Sequence, residues 1–114
     1  MRKLEFLCIT LFSYSLSSKL SSATILDMPS VLKIGIQLLD IIKSIHDSGF
    51  IHGDLNTANI MFSELDEVNL VDFGCASRWC SKSGEAYSDD STEPYSGTPF
   101  YSSIGRLRSA SMLN

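Results

Sequence analysis

The sequence predicts an α+β fold in which one long apolar helix is followed by a small β-hairpin. Apolar residues recur at helical spacing across 30–48, and two short apolar runs at 60–62 and 68–71 flank an acidic turn. The hydrophobic fraction of 44% is that of a globular protein. A chain of 114 residues forms one domain at most.

The charge and the cysteine content exclude several classes of function. Nine Lys and Arg against thirteen Asp and Glu give a net charge of −4, which disfavours nucleic acid and anionic membranes as partners. No apolar run in the sequence reaches the roughly 18 residues that span a bilayer. Cys8, Cys75 and Cys80 include no Cys-x-x-Cys pair. A disulfide scaffold or zinc site is therefore not indicated, and a cytoplasmic or nuclear location is expected.

The N-terminal segment admits two interpretations. Arg2 and Lys3 precede a mainly apolar run over 4–12 and then a serine-rich stretch, which is the outline of a secretory leader. Glu5 interrupts that run, and the same residues suit a buried strand. A small secreted protein with a cleaved leader is therefore the minority alternative. Residues 13–26, which are rich in serine, predict a short helix and a loop.

The strongest helix signal lies over 30–48. Ile34, Leu38 and Ile45 define one apolar stripe, and a second stripe makes the helix hydrophobic most of the way round. Asp27 or Ser30 can cap its start, and Gly49 follows its end. A helix of this kind is normally buried inside a larger body.

Short elements follow the helix. Residues 50–51 predict a brief extended segment, 52–59 a polar loop and 60–71 a hairpin with its turn at 63–67. Residues 76–97 are mostly Ser, Asp, Glu and Gly and predict a mobile acidic loop.

The polar loop carries the residues of a phosphoryl-transfer site. His52, Asp54 and Asn59 follow the pattern H-x-D-L-x-x-x-N, and an Asp-Phe-Gly tripeptide begins at Asp72 after the second hairpin strand. A carboxylate such as Asp54 can accept the proton of an attacking hydroxyl, and Asn59 and Asp72 offer oxygen ligands for Mg²⁺. Each residue alone would be an ordinary turn residue, whereas their combination with the hairpin favours catalysis.

These motifs resemble those of the protein kinase family, and the resemblance covers nearly the whole chain. It implies a partial protein-kinase-like fold over 1–114, mainly the helical large lobe with a small β-hairpin, truncated at both ends. The implied parts are a hinge-leading strand (5–12), the buried helix (30–48), the catalytic loop (52–59), the hairpin (60–71) and the activation segment (72–104).

The resemblance also implies ligands and further site residues. ATP, Mg²⁺ and a protein substrate with Ser or Thr would be bound. Ile9 would be the gatekeeper, and Phe12 and Met61 would contact adenine. His52 and Phe73 match two residues that stack to join the catalytic loop to the Asp-Phe-Gly segment.

One stretch indicates the subgroup. Gly97-Thr98-Pro99-Phe100-Tyr101-Ser102-Ser103-Ile104 resembles the G-T-x-R-Y-A-S-I stretch of the casein kinase 1 group. Thr98 would be its catalytic-site threonine, which favours Ser/Thr substrates. The His-Gly-Asp sequence at 52–54 is similar to that of vaccinia-related kinases.

Two departures lower the expected activity. The family usually has a lysine that neutralises γ-phosphate charge where this chain has Asn56, a loss that typically costs two or three powers of ten in rate. Gly53 replaces an arginine that pairs with a phosphorylated loop. The Gly-rich loop and the strand lysine of the family are not found in the sequence. The incomplete domain is therefore expected to be inactive alone, with a pseudokinase-like binding module or a decayed gene fragment as alternatives.

Overall fold

The computed structural model describes residues 7–22, 25–87, 96–105 and 107. Its helices and strands, in chain order, are β1 (Tyr14–Ser15), α1 (Leu16–Ser21), α2 (Met28–Asp47), β2 (Phe50–Ile51), β3 (Ile60–Phe62), β4 (Val68–Leu70) and β5 (Ser77–Arg78). Two 3-10 turns follow at Phe73–Cys75 and Pro99–Tyr101. Within the described ranges, none of the helices has the length and apolarity that crossing a membrane requires.

Both predicted helices are present. The helix predicted for 30–48 is α2, which begins two residues earlier because Asp27 caps it: its carboxylate accepts a hydrogen bond from Ser30 N at 3.0 Å. Pro29 lies in the first turn, where its missing N–H costs nothing. The short helix predicted within 13–22 is α1, and a capping box at Ser15 starts it.

The predicted hairpin of 60–71 is confirmed as β3 and β4. These strands pair antiparallel, with Ile60 opposite Leu70 and Phe62 opposite Val68. The strand β1 pairs antiparallel with the other edge of β3, so the sheet has the order β1-β3-β4.

The core lies between this sheet and one side of α2. Ile60, Phe62 and Val68 form its buried centre, and Phe62 is only 2% exposed. The rings of Tyr14 and Phe62 stack with their centroids 5.0 Å apart. Gln37 of α2 accepts a hydrogen bond from Val68 N at 3.0 Å, which fixes the helix along the sheet edge. This core positions the loop that leads into β3.

One side of α2 is exposed in this chain. Val31, Leu32, Ile36 and Leu39 are 46 to 66% exposed, and no residue of α2 is fully buried. The helix contacts β2 and β4, and these short strands cover only part of its circumference. We call the four exposed residues the open face of α2.

The strand predicted for 5–12 is not formed over 7–12, and residues 5 and 6 lie outside the described residues. Leu7, Ile9 and Leu11 are 86%, 64% and 94% exposed. A strand needs a hydrogen-bonded neighbour, and no described strand pairs with this segment. Pairing begins only where Ser13 N donates to Phe62 O at 2.9 Å. The leader interpretation of the same residues stays a prediction.

The loop predicted as mobile over 76–97 has regular structure in its described part. The strand β5 pairs antiparallel with β2, and Cys80 forms an isolated bridge with Ala86. The indole Nε1 of Trp79 donates to His46 O at 3.0 Å, near the end of α2. These contacts join residues far apart in sequence, which composition does not reveal. Residues 88–95 lie outside the described residues.

Candidate active site

The loop over 52–59 connects β2 to β3 and is anchored by His52. This side chain is buried, and its Nε2 lies 2.9 Å from Val71 O. Because that carbonyl only accepts, Nε2 donates and Nδ1 is free to accept from Asp54 N at 3.3 Å. The rings of His52 and Phe73 meet edge to face at 4.8 Å, which places the predicted stacking partners in contact.

Two glycines allow three backbone segments to meet beside the loop. Gly53 has a φ of +83°, and a Cβ there would lie 2.2 Å from Cys75 O. Gly97 has a φ of +104°, and a Cβ there would lie 2.6 Å from Gly53 O. Only glycine adopts such a conformation at so close an approach without displacing its neighbour. We call this contact of Gly53, Cys75 and Gly97 the glycine stack.

The Asp54 carboxylate is oriented by three hydrogen bonds. Its Oδ1 accepts from Thr98 N and from Thr98 Oγ1, both at 2.7 Å, and its Oδ2 lies 3.3 Å from the donor Asn59 Nδ2. The Thr98 side chain is the main cause that lowers the pKa of Asp54 from 3.8, against a smaller opposing effect of desolvation. Asp54 is therefore an oriented, ionised carboxylate at neutral pH.

Asn56 lies beneath this carboxylate and is 8% exposed. Its Nδ2 donates to Thr98 Oγ1 at 3.2 Å, and its Oδ1 accepts from Ala58 N at 2.9 Å. The residue that replaces the family's lysine therefore connects the loop to Thr98.

The two predicted metal ligands are connected through the backbone. Asn59 is buried, and its Nδ2 donates to Asp54 O at 2.9 Å. Val71 N donates a hydrogen bond to Asn59 O at 3.0 Å. Asp72 follows Val71 in the chain and is therefore attached directly to the residue that is bonded to Asn59. Asp72 is exposed and has a φ of 64°, and its carboxylate accepts from Gly74 N at 3.2 Å. Aspartate tolerates this left-handed backbone better than most residues because its side chain bonds locally.

The donor set at these two residues fits Mg²⁺. The Asn59 amide directs its nitrogen to Asp54, and its Oδ1 accepts no hydrogen bond from a described residue. With the Asp72 carboxylate this makes one amide oxygen and one carboxylate. Among the described residues there is no cluster of three or more His, Cys, Asp or Glu side chains. Magnesium is commonly bound by one or two carboxylates together with water and substrate phosphates rather than by a closed protein cage.

The three residues predicted to line the ATP site differ in their burial and in their contacts with the sheet. Met61 is half-buried in the middle of β3, opposite Ser15 on one side and Asn69 on the other. Phe12 is half-buried just before the segment that pairs with β3. Ile9 is exposed, and no described strand pairing or hydrogen bond connects it to the loop.

Sequence reasoning missed two further contacts of the loop. Thr57 Oγ1 and Tyr101 OH lie 3.1 Å apart, joining the loop to the turn after Thr98. The close approach of Gly97 was also missed. Both Gly97 and Tyr101 belong to the stretch that resembles casein kinase 1, so that stretch was the available signal.

Comparisons with known proteins identify a family that matches most of the chain. A family model described as the protein kinase domain matches residues 5–112. The chain is similar to human serine/threonine-protein kinase VRK2, with 31% identity over 78 residues, which cover 66% of this chain and 15% of the relative.

Two further relatives match over a longer stretch. A probable serine/threonine-protein kinase of fowlpox virus is 33% identical over 102 residues, covering 88% of this chain and 34% of the relative. A probable casein kinase I homolog of Encephalitozoon cuniculi is 32% identical over 106 residues, covering 92% and 33%. The chain therefore spans between 15% and 34% of the length of these curated relatives.

Proposed function

This chain belongs to the protein kinase family and resembles its casein kinase 1 and vaccinia-related members, and we propose that it provides the catalytic loop of a serine/threonine kinase. The reaction is transfer of the γ-phosphate of ATP to a protein hydroxyl. A cytoplasmic or nuclear location is part of the proposal, and the three free cysteines support it.

The observation that carries the proposal is the orientation of Asp54. Thr98 occupies Oδ1 with two hydrogen bonds, while Oδ2 has the single, longer contact to Asn59. A substrate hydroxyl would pass its proton to this carboxylate as its oxygen bonds to the γ-phosphorus, and the bond from phosphorus to ADP breaks. The lowered pKa makes Asp54 a weak base. That suits phosphoryl transfer, where catalysis comes mostly from positioning and electrostatics.

The remaining site residues would bind ATP and its metal. Asn59 and Asp72 would hold Mg²⁺, which when bound neutralises charge on the phosphates. Met61 and Phe12 would contact the adenine, and Ile9 would be the gatekeeper if the segment over 7–12 is ordered in the intact site. Thr98 would act in catalysis by orienting Asp54 and would favour Ser and Thr substrates.

The test measures transfer of radiolabelled γ-phosphate to an acidic serine-containing peptide by the natural protein that contains these residues. We expect Asp54→Asn to lower the rate about 100-fold or more, since general-base groups contribute on that order. The matched control is Asp40→Asn on the solvent side of α2, which should keep the rate within about twofold because surface changes are nearly neutral. Unchanged transfer by Asp54→Asn would refute the proposal.

A binding module without phosphate transfer is the second candidate, and Asn56 favours it. A neutral amide at this position supplies no charge to a γ-phosphate, and no described ion pair brings Lys or Arg to Asp54. The same assay separates the two functions, because a binding module gives no transfer above the Asp54→Asn background.

A further inference from the structure

We propose that Asn56 is a positioning residue whose amide oxygen fixes the turn of the catalytic loop while its amide nitrogen orients the Thr98 hydroxyl toward Asp54. The catalytic meaning of this inference rests on the proposed function, because the orientation matters for chemistry only if Asp54 receives the substrate proton. The amide oxygen and the amide nitrogen bind different partners, and a substitution can remove the hydrogen bonds of either one while keeping those of the other.

The oxygen half stabilises the loop. Asn56 Oδ1 accepts from Ala58 N at 2.9 Å and from Asn59 N at 3.2 Å. Side-chain oxygens of Asn and Asp stabilise turns by accepting from the backbone two and three residues on. Since Asn59 follows immediately, this turn sets the direction from which its amide reaches Asp54.

The nitrogen half orients a hydroxyl. Asn56 Nδ2 donates to Thr98 Oγ1 at 3.2 Å and lies 3.4 Å from Asp54 O. A hydroxyl has one proton. Because Thr98 Oγ1 accepts from Asn56, it directs that proton to Asp54 Oδ1 at 2.7 Å. The chain of donors runs from Asn56 through Thr98 to Asp54 and leaves Oδ2 as the less occupied oxygen.

The amide orientation is determined by these partners. A flipped Asn56 would place its NH₂ group against two backbone N–H groups and its oxygen against a carbonyl, so only one orientation satisfies all four contacts. The side chain is also largely buried. An unsatisfied polar group there is costly.

A lysine at this position could not both donate to Thr98 and accept from the loop backbone. Its ammonium has three donors and no acceptor, so it could reach Thr98 but would leave the N–H groups of Ala58 and Asn59 without their side-chain acceptor. Asn56→Lys is therefore not a simple repair of the family pattern. Asn56→Asp is the converse, because a carboxylate keeps the acceptor, loses the donor and adds negative charge near Asp54.

The experiment uses both variants of the full 114-residue chain and two NMR measurements. Amide exchange at Ala58 and Asn59, relative to the amides of β3 and β4, reports the oxygen half. Amide exchange at Thr98, whose N–H donates to Asp54 Oδ1 at 2.7 Å, reports the nitrogen half.

We expect opposite patterns from the two variants. Asn56→Lys should accelerate exchange at Ala58 and Asn59 about tenfold, the scale of one lost hydrogen bond, and leave exchange at Thr98 unchanged. Asn56→Asp should keep Ala58 and Asn59 protected and accelerate exchange at Thr98 about tenfold, because the Thr98 hydroxyl loses its donor. The matched control is Asn69→Lys, which removes only a contact to Glu67 O and should change neither measurement.

Unchanged exchange at Ala58 and Asn59 in Asn56→Lys, or unchanged exchange at Thr98 in Asn56→Asp, overturns the inference. If Asn56→Lys also exposes the amides of β3 and β4, Asn56→Asp decides alone, and loss of protection at Ala58 and Asn59 in that variant counts against the inference. Neither measurement needs phosphate transfer. If the variants show the expected pattern but the natural protein transfers no phosphate, the proposed function is refuted and the positioning role stands.

Discussion

Replacing Gly53 by alanine should destabilise the fold more than any other Gly→Ala change at an exposed glycine. A Cβ at this position would lie 2.2 Å from Cys75 O, so the two segments must separate by about 0.8 Å to reach the 3.0 Å limit of real contacts. Forcing extra volume into a packed contact costs about 1–3 kcal/mol. The positive φ of 83° adds about 1–2 kcal/mol for a residue with a Cβ. The expected loss is about 2–5 kcal/mol of the free energy of unfolding.

The control for Gly53→Ala is Gly84→Ala. Gly84 has a similar φ of +87° but nothing within 4 Å of its Cβ position, so it should lose only the backbone contribution of about 1–2 kcal/mol. Urea unfolding followed by fluorescence of Trp79, the single tryptophan, measures both variants. Free energies of unfolding that agree within about 0.5 kcal/mol would refute the steric argument.

Three further outcomes are expected. Phe62→Ala should remove about 3–5 kcal/mol from the free energy of unfolding in the same urea assay, because this ring is the most buried large side chain among the described residues. The hydrogen bonds that lower the pKa of Asp54 should stabilise the fold above pH 3.8 and be lost as the pH falls through the lower folded pKa; an NMR titration with its midpoint at or above 3.8 would contradict this. Calorimetry of the 114-residue polypeptide with Mg-ATP should give a Kd weaker than about 50 μM, since the two proposed metal ligands without a Gly-rich loop would position the phosphates poorly.

Local signals explain what could be predicted from the sequence. The helix α2 was predictable because its apolar repeat, the Asp27 cap and Gly49 agree, and the hairpin because two apolar runs flank an acidic turn. The contact of His52 with Phe73 followed from the family motif. In each case the determinants lie within a few residues or within a recognised pattern.

Non-local contacts explain what could not be predicted. The strand expected over 7–12 has suitable residues but no described neighbour to pair with. The strand β5 forms because β2 offers an open edge more than twenty-five residues earlier. The link from Thr98 to Asp54 joins residues 44 apart, and only the resemblance of the 97–104 stretch pointed to Thr98.

The glycine stack constrains how this protein can change by mutation. An arginine at position 53 would need a backbone turned away from a φ of +83° and would meet Cys75 O. A shift of Cys75 alone does not solve this, because Gly97 approaches the carbonyl of Gly53 from another segment. Acceptable changes at these three positions are therefore epistatic: each depends on what the other two have become. A Gly53→Arg substitution alone would therefore require both Cys75 and Gly97 to move.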